Sequence, residues 1–244
     1  MTTTLQPIRP AATVMLVRDT PQDIEVFMLR RTSKAAFAGG MHVFPGGRVD
    51  GEDHFDKYRA LCSGPTTEQA AQVKALGHEH LGYWIAGIRE TFEEAGFLLA
   101  YDAGGNLVSY DDTAQAEQFA ALRTPLHDGA LTLFEICEAR ELRLAIDRVH
   151  LFNRFVTPQG RPRRFDTRFF VAAAPPGQTG EHDRQETVDS VWITPAAALE
   201  RHAADDFGLM RVTERQLTEL AQFRSSAELI AAVSSKARYP VYRP

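Results

Sequence analysis

Cysteine is nearly absent from this 244-residue chain, which carries only Cys62 and Cys137. A disulfide framework is thereby excluded, and both residues read as reduced thiols, buried or idle, in a cytosolic protein. No apolar run approaches the roughly 20 residues that a membrane helix needs, so no membrane partner is expected. The opening MTTTLQPIRP lacks the apolar centre of a secretory signal, and the closing YPVYRP carries no recognisable address. A cytoplasmic location is therefore expected. Basic charge is not in excess either: the formal net charge is -5, which argues against a broad nucleic-acid footprint. There is no G-x-S-x-G elbow, no Walker A loop and no G-x-G-x-x-G turn. The run Gly77-His78-Glu79-His80 invites zinc, but H-E-x-x-H would need a histidine where Gly82 stands.

What is present suits a core built without staples: 44% hydrophobic and 24% charged residues, with no repeat or low-complexity segment. The spacing predicts a hairpin from residues 12–17 and 24–29 around turn chemistry at 19–23. A glycine-rich stretch, RTSKAAFAGGMHVFPGGRVDGED, follows and contains Pro45-Gly46-Gly47. Residues 53–80 read as a polar insertion with a short helix near 66–75. Further helices are expected at 113–123 and 131–142, and again at 195–202, 213–223 and 227–234. A strand is expected from Leu98 onward, with others at 149–156, 165–172 and 188–193; a PQGRP tip joins the first two of these last three. Strands on both sides of one special helix imply an α/β sandwich with a mixed sheet rather than a doubly wound one.

That helix is GYWIAGIRETFEEAGF, residues 82–97, closed by Gly96. At about 100° per residue, Glu90, Glu93 and Glu94 share one narrow face, with Ala86 and Gly87 leaving room beside them. Trp84, Ile85, Ile88, Phe92 and Ala95 occupy the opposite face. Like charges at this spacing cost roughly 0.2–0.5 kcal/mol per pair, a repulsion that a bound cation removes. All-oxygen ligands select a hard ion such as Mg²⁺. A solvated acidic face is the alternative, since such charge patterns are common on surface helices.

The run R-E-T-F-E-E-A-G-F, preceded by a Pro-Gly-Gly loop, resembles the Nudix box. In that pattern a glycine, five residues, a glutamate and seven residues precede R-E-(apolar)-x-E-E-x-G-(apolar). Arg89, Glu90, Glu93, Glu94, Gly96 and Phe97 match the second half, with Thr91 in the apolar slot and Gly47 as the leading glycine. Residues 48–88 lie between Gly47 and Arg89, about 28 more than the pattern holds, an insertion whose closure cost grows only slowly with length. The early glutamate has three candidates, Glu52, Asp53 and Glu79, while helix register alone points to Leu81. The interrupted box, with RPAATVMLV, HVFPGG, IRETFEEAGFLL and RRFDTRFF, is similar to a peroxisomal coenzyme A diphosphatase branch and its bacterial relatives.

The resemblance implies a single Nudix hydrolase domain over residues 1–244, an α/β/α sandwich with a mixed sheet. Insertions are expected at about 53–80 and 113–145, and C-terminal helices at about 195–234. It further implies Mg²⁺ or Mn²⁺ held by Glu90, Glu93 and Glu94, with Glu93 catalytic and Arg89 orienting the cluster. The reaction implied is hydrolysis of coenzyme A or acyl-coenzyme A to 3′,5′-ADP and a 4′-phosphopantetheine. ADP-ribose or NADH is the alternative substrate, and a non-catalytic ligand-binding module the alternative class. Glu186 is the candidate general base. Gly46 and Gly47 allow close backbone approach to a small nucleotide substrate. Arg31 belongs to one basic cluster, and Arg163 and Arg164 to another that would grip a phosphate or guard a strand edge. The helices at 113–142 and the C-terminal helices suit either a substrate cover or a homodimer surface.

Overall fold

The structure is a computed structural model describing residues 7–35 and 38–244. Most of the opening MTTTLQPIRP, and two positions in the glycine-rich stretch, lie outside the described residues. The first hairpin is longer than expected: β1 (Ile8–Asp19) and β2 (Ile24–Arg31) pair antiparallel, with Val17 opposite Val26. Thr20 closes the turn, its backbone N–H donating to the Asp23 carbonyl at 2.9 Å. The short strands β3 (His42–Val43) and β4 (Gly46–Arg48) follow, pairing with β2 and β1.

The segment expected to be an insertion is ordered by small elements. Two 3-10 turns, Gly51–His54 and Asp56–Leu61, lead to β5 (Cys62–Ser63). A third turn, Thr67–Gln69, runs into α1 (Ala70–Leu76), where the short helix was expected. Next come α2 (His80–Ala95), β6 (Ala100–Tyr101), α3 (Thr113–His127), α4 (Leu133–Ala139) and β7 (Arg143–Ala145). The chain continues through β8 (His150–Val156), β9 (Arg164–Ala173) and β10 (Thr187–Ile193). It ends with α5 (Pro195–Ala203), α6 (Arg211–Leu220), α7 (Ser226–Ser234) and β11 (Val241–Tyr242).

The main sheet has eight strands in the order β10-β2-β1-β9-β8-β11, with β3 and β4 beside this path. It is mixed, as expected: β1 runs parallel to β9, and β8 antiparallel to it. β5, β7 and β6 form a second sheet, so the insertion is tied to the strand after α2. Trp84 of α2 is fully buried and donates its indole N–H to the Val149 carbonyl at 2.8 Å. No described helix is long and apolar enough to cross a membrane.

Three helices differ from expectation, among them α6, which runs over Arg211–Leu220 where 213–223 was expected. α3 continues past Pro125 because that residue falls in the last turn, where Asp128 N–H still reaches the Thr124 carbonyl at 2.9 Å. α4 is shorter at both ends. Thr132 caps its start, accepting from Glu135 N–H at 3.2 Å, and Glu141 leaves the helix with φ of 52°.

Gln178 locks the segment after α2 in place. It accepts from Leu98 N–H at 2.9 Å and donates to the Leu98 and Val108 carbonyls at 3.0 and 2.7 Å. Gln178→Leu strands these buried backbone groups. A loss of about 3 kcal/mol in urea unfolding, with an unchanged m-value, is expected.

Candidate active site

Gly87 sets how closely α2 meets the sheet. A Cβ there would lie 3.1 Å from Val14 Cγ2 and 3.8 Å from Ala12 Cβ. The expectation that Ala86 and Gly87 leave open room beside the acids is thus corrected, because β1 fills that space. Thr91, in the apolar slot of the motif, is buried and donates its hydroxyl to the Gly87 carbonyl one turn back, at 2.7 Å. The acidic face is no solvated patch either, since Glu93 and Glu94 are only 6% and 5% exposed. The solvated-face alternative fails on that burial.

Gly46 and Gly47 bring β4 against this face. Gly46 N–H donates to Glu94 Oε2 at 3.0 Å, and a Cβ on Gly47 would overlap the Glu90 carboxylate. Arg89 then gathers the cluster. Its Nη1 donates to Glu90 Oε1 and Glu93 Oε1, both at 3.1 Å, and its Nη2 to the Arg48 carbonyl at 2.9 Å. Its Nε and Nη2 grip Asp53 at 2.9 and 3.0 Å. Burial alone would lower the Arg89 pKa, but Asp53, Glu90 and Glu93 more than reverse this and hold it above its ordinary value.

The early acid of the motif, left open among three residues and a register position, is sorted by this geometry. Asp53 is 1% exposed and fully engaged, since its Oδ2 also accepts from Asp50 N–H at 2.8 Å. It stands six residues after Gly47, the spacing of the motif's own glutamate. Glu52 lines the cavity beside it, whereas Glu79 sits exposed at the start of α2 and Leu81 is a core residue. Gly82 permits this approach, because a side chain there would overlap the His54 ring on the Asp53 turn.

Burial pushes the Glu90 carboxyl up to about 8, against the pull of Arg89. Burial also holds Glu94 well above the usual carboxylate range, reinforced by the facing charge of Glu90. Glu93 is raised by burial and relieved by Arg89. Among the described residues, no three His, Cys, Asp or Glu side chains converge as a finished metal-ligand set. Glu90 Oε2, Glu93 Oε2 and Glu94 Oε1 nevertheless accept no hydrogen bond among the described residues. The His78 and His80 zinc reading finds no support, since His78 is exposed and His80 bonds the Gly77 carbonyl at 2.9 Å. Cys62 and Cys137 are buried, which pushes both thiols up to about 12.

These acids line a cavity of about 760 Å³, within the usual size range of ligand sites. Arg31, Gly46, Gly47, Arg163 and Glu186 line it too. Glu186 Oε2 accepts from Arg31 Nη2 at 3.2 Å, while Arg31 Nε is buried with no hydrogen-bond partner among the described residues. Arg164 is a correction to the expected phosphate grip. It is absent from the cavity wall, and its buried Nε donates to the Thr157 carbonyl at 3.2 Å. Arg163 lies in the bend before β9 and lines the cavity, whereas Arg164 opens the strand and is turned to the Thr157 carbonyl, so the two do not act as one pair.

Sequence reasoning missed two residues of α3. Arg123 donates to the carbonyls of Glu93, Glu94 and Glu181, closing the C-terminal end of α2. His127 Nδ1 stands 4.0 Å from Glu93 Oε2. No local signal in sequence marks either, because both act across 29 or more positions.

If Asp53 is the anchor of Arg89, Asp53→Asn removes one partner of a buried charge. A loss of roughly 2–3 kcal/mol in urea unfolding is expected. Glu79→Gln, at an exposed position, is expected to stay within about 0.5 kcal/mol of wild type.

The family model described as the NUDT19 Nudix domain matches residues 64–222, which include Arg89 to Glu94 but not Gly46, Gly47 or Asp53. The acyl-coenzyme A diphosphatase NUDT19 of Gallus gallus is 26% identical over 251 residues, covering 89% of this chain and 66% of that protein. The Homo sapiens protein of the same name is 24% identical over 263 residues, covering 91% and 67%. The chain thus spans about two thirds of the length of these curated relatives. A crystal structure of a Nudix hydrolase from Alicyclobacillus acidocaldarius superposes with a TM-score of 0.73 at 25% identity, covering 93% of this chain and 96% of that one. With the matched segment taking in more than half of its residues and the α2 cluster inside that segment, this chain belongs to the NUDT19 Nudix domain family.

Proposed function

We propose that this chain is a metal-dependent hydrolase of coenzyme A or acyl-coenzyme A. Its products are 3′,5′-ADP and the corresponding 4′-phosphopantetheine. One observation carries the reaction class: three carboxylates, Glu90 and Glu93 held by Arg89 and Glu94 by the Gly46 N–H, at the wall of a cavity large enough for a nucleotide. The names of the curated relatives supply the coenzyme A class.

Glu90, Glu93 and Glu94 would hold Mg²⁺ or Mn²⁺, and the donor set fits. It is all oxygen, each carboxylate keeps one oxygen that accepts no hydrogen bond among the described residues, and Glu90 and Glu94 repel one another. An incomplete protein ligand set suits Mg²⁺, which keeps several waters and takes oxygens from the substrate phosphates. When bound, such an ion neutralises phosphate charge and lowers the pKa of a coordinated water.

The chain's own residues supply the rest. Arg31, with Nε unpartnered among the described residues, lines the cavity as a donor to a phosphate oxygen. Glu186 accepts the proton of the attacking water, held at the cavity wall by its contact with Arg31. Gly46 and Gly47 present main chain to the cavity wall, where the substrate would pass. Arg89 keeps Glu90 and Glu93 in place rather than touching the reacting atoms.

Product analysis on coenzyme A, acetyl-coenzyme A, ADP-ribose and NADH tests this, with Mg²⁺ or Mn²⁺ present. Release of 3′,5′-ADP that needs the metal is expected, and Glu93→Gln should slow it roughly 100-fold or more. A preference for ADP-ribose or NADH, giving AMP, would overturn the coenzyme A assignment and leave the metal helix standing. No cleavage at all would favour a ligand-binding module.

A further inference from the structure

The cavity has two walls of different chemistry, and they lie on opposite faces of the sheet. On β1, Ala12 and Val14 are the side chains that approach Gly87 of α2. Side chains alternate along a strand, so Ala11 and Thr13 point away from α2. In register, Ala11 pairs with Thr167 and Thr13 with Phe169, and Thr167 pairs in turn with Phe155 of β8. Thr13, Phe155, Thr167 and Phe169 all line the cavity, as does Arg163 at the tip between β8 and β9. This far wall is therefore aromatic, with a cation at its end.

The near wall comes from the segment joining α3 to α4. Leu126, Leu131 and Leu133 line the same cavity beside His127, which approaches Glu93. Asp50 and Glu52 line it here as well. The wall is aliphatic and bordered by negative charge. Between the two walls lie Gly46 and Gly47 of β4, which pairs with β1 alone among the described residues. The acids of α2 meet the cavity at that edge, Glu94 through Gly46 and Glu90 against Gly47.

We propose that a coenzyme A thioester bends around the Gly46–Gly47 edge, its nucleoside and 3′-phosphate on the Phe155–Phe169 wall near Arg163, its acyl chain along Leu126, Leu131 and Leu133. This rests on the coenzyme A reading above. Flat aromatic side chains stack on a purine, and an arginine holds a phosphate through paired donors. The reverse orientation sets the 3′-phosphate beside Asp50 and Glu52, like charge against like. An acyl chain carries no charge and needs only apolar surface, which the leucines offer. The helical insertion thereby becomes the element that reads the acyl group, and the β8–β9 tip the one that reads the phosphate.

The test is kcat/KM for coenzyme A, dephospho-coenzyme A and lauroyl-coenzyme A in wild type, Arg163→Ala and Leu131→Trp. Arg163→Ala should lower the ratio of coenzyme A to dephospho-coenzyme A by roughly tenfold, with the lauroyl ratio unmoved. Leu131→Trp should lower the ratio of lauroyl-coenzyme A to coenzyme A by roughly tenfold, with the 3′-phosphate ratio unmoved. Should the tryptophan variant not fold, Leu131→Asn makes the same comparison with little change in volume. Exchanged effects, or two unmoved ratios, would overturn the two-wall assignment while wild-type cleavage upholds the coenzyme A reading. A wild type that cleaves none of the three substrates overturns that reading, and this inference with it.

Discussion

Arg89 is a partly buried cation, and the geometry of the site follows from how its charge is satisfied. Its guanidinium reaches the Arg48 carbonyl on β4, Asp50 and Asp53 on the turn after it, and Glu90 and Glu93 on its own helix. A buried charge is tolerated only when paired and hydrogen-bonded, so these three segments hold one another in position. Asp53 closes the arrangement by receiving both Arg89 and the Asp50 N–H.

This arrangement explains how the motif survives its interruption. The acid partner lies directly after the glycine loop, at the spacing an uninterrupted box would give, and the extra chain follows it. Loop length is cheap once the ends are fixed by strong contacts. The inserted chain is also put to structural use: β5 pairs with β7, and the Tyr58 ring packs edge-on against Phe134 of α4 at 5.4 Å. Those contacts carry the α3–α4 segment to the site, where Arg123 closes the end of α2 and His127 approaches Glu93.

The carboxylates on α2 go against ordinary stability. Buried acids with raised pKa values, two of them facing each other, cost free energy that a packed apolar helix would not. Such local conflicts gather where a protein binds or reacts. Here the surrounding structure supplies only partial relief, through Arg89 and the Gly46 N–H, and among the described residues each carboxylate keeps an oxygen that accepts no hydrogen bond.

Local pattern was enough to read the hairpin, α2 with its Gly96 stop, and the mixed order of strands and helices. Each of these depends on side-chain period or on turn residues close in sequence. The three acids of one face were legible for the same reason, and the family resemblance rested on them. Pairing across long separations was not legible. The choice of Asp53 over Glu79, the filling of space at Gly87 by Val14, and the turning of Arg164 to the Thr157 carbonyl were all decided by tertiary packing. Periodicity tells which residues share a face, but what meets that face depends on chain segments far away, and only tertiary structure brings those together.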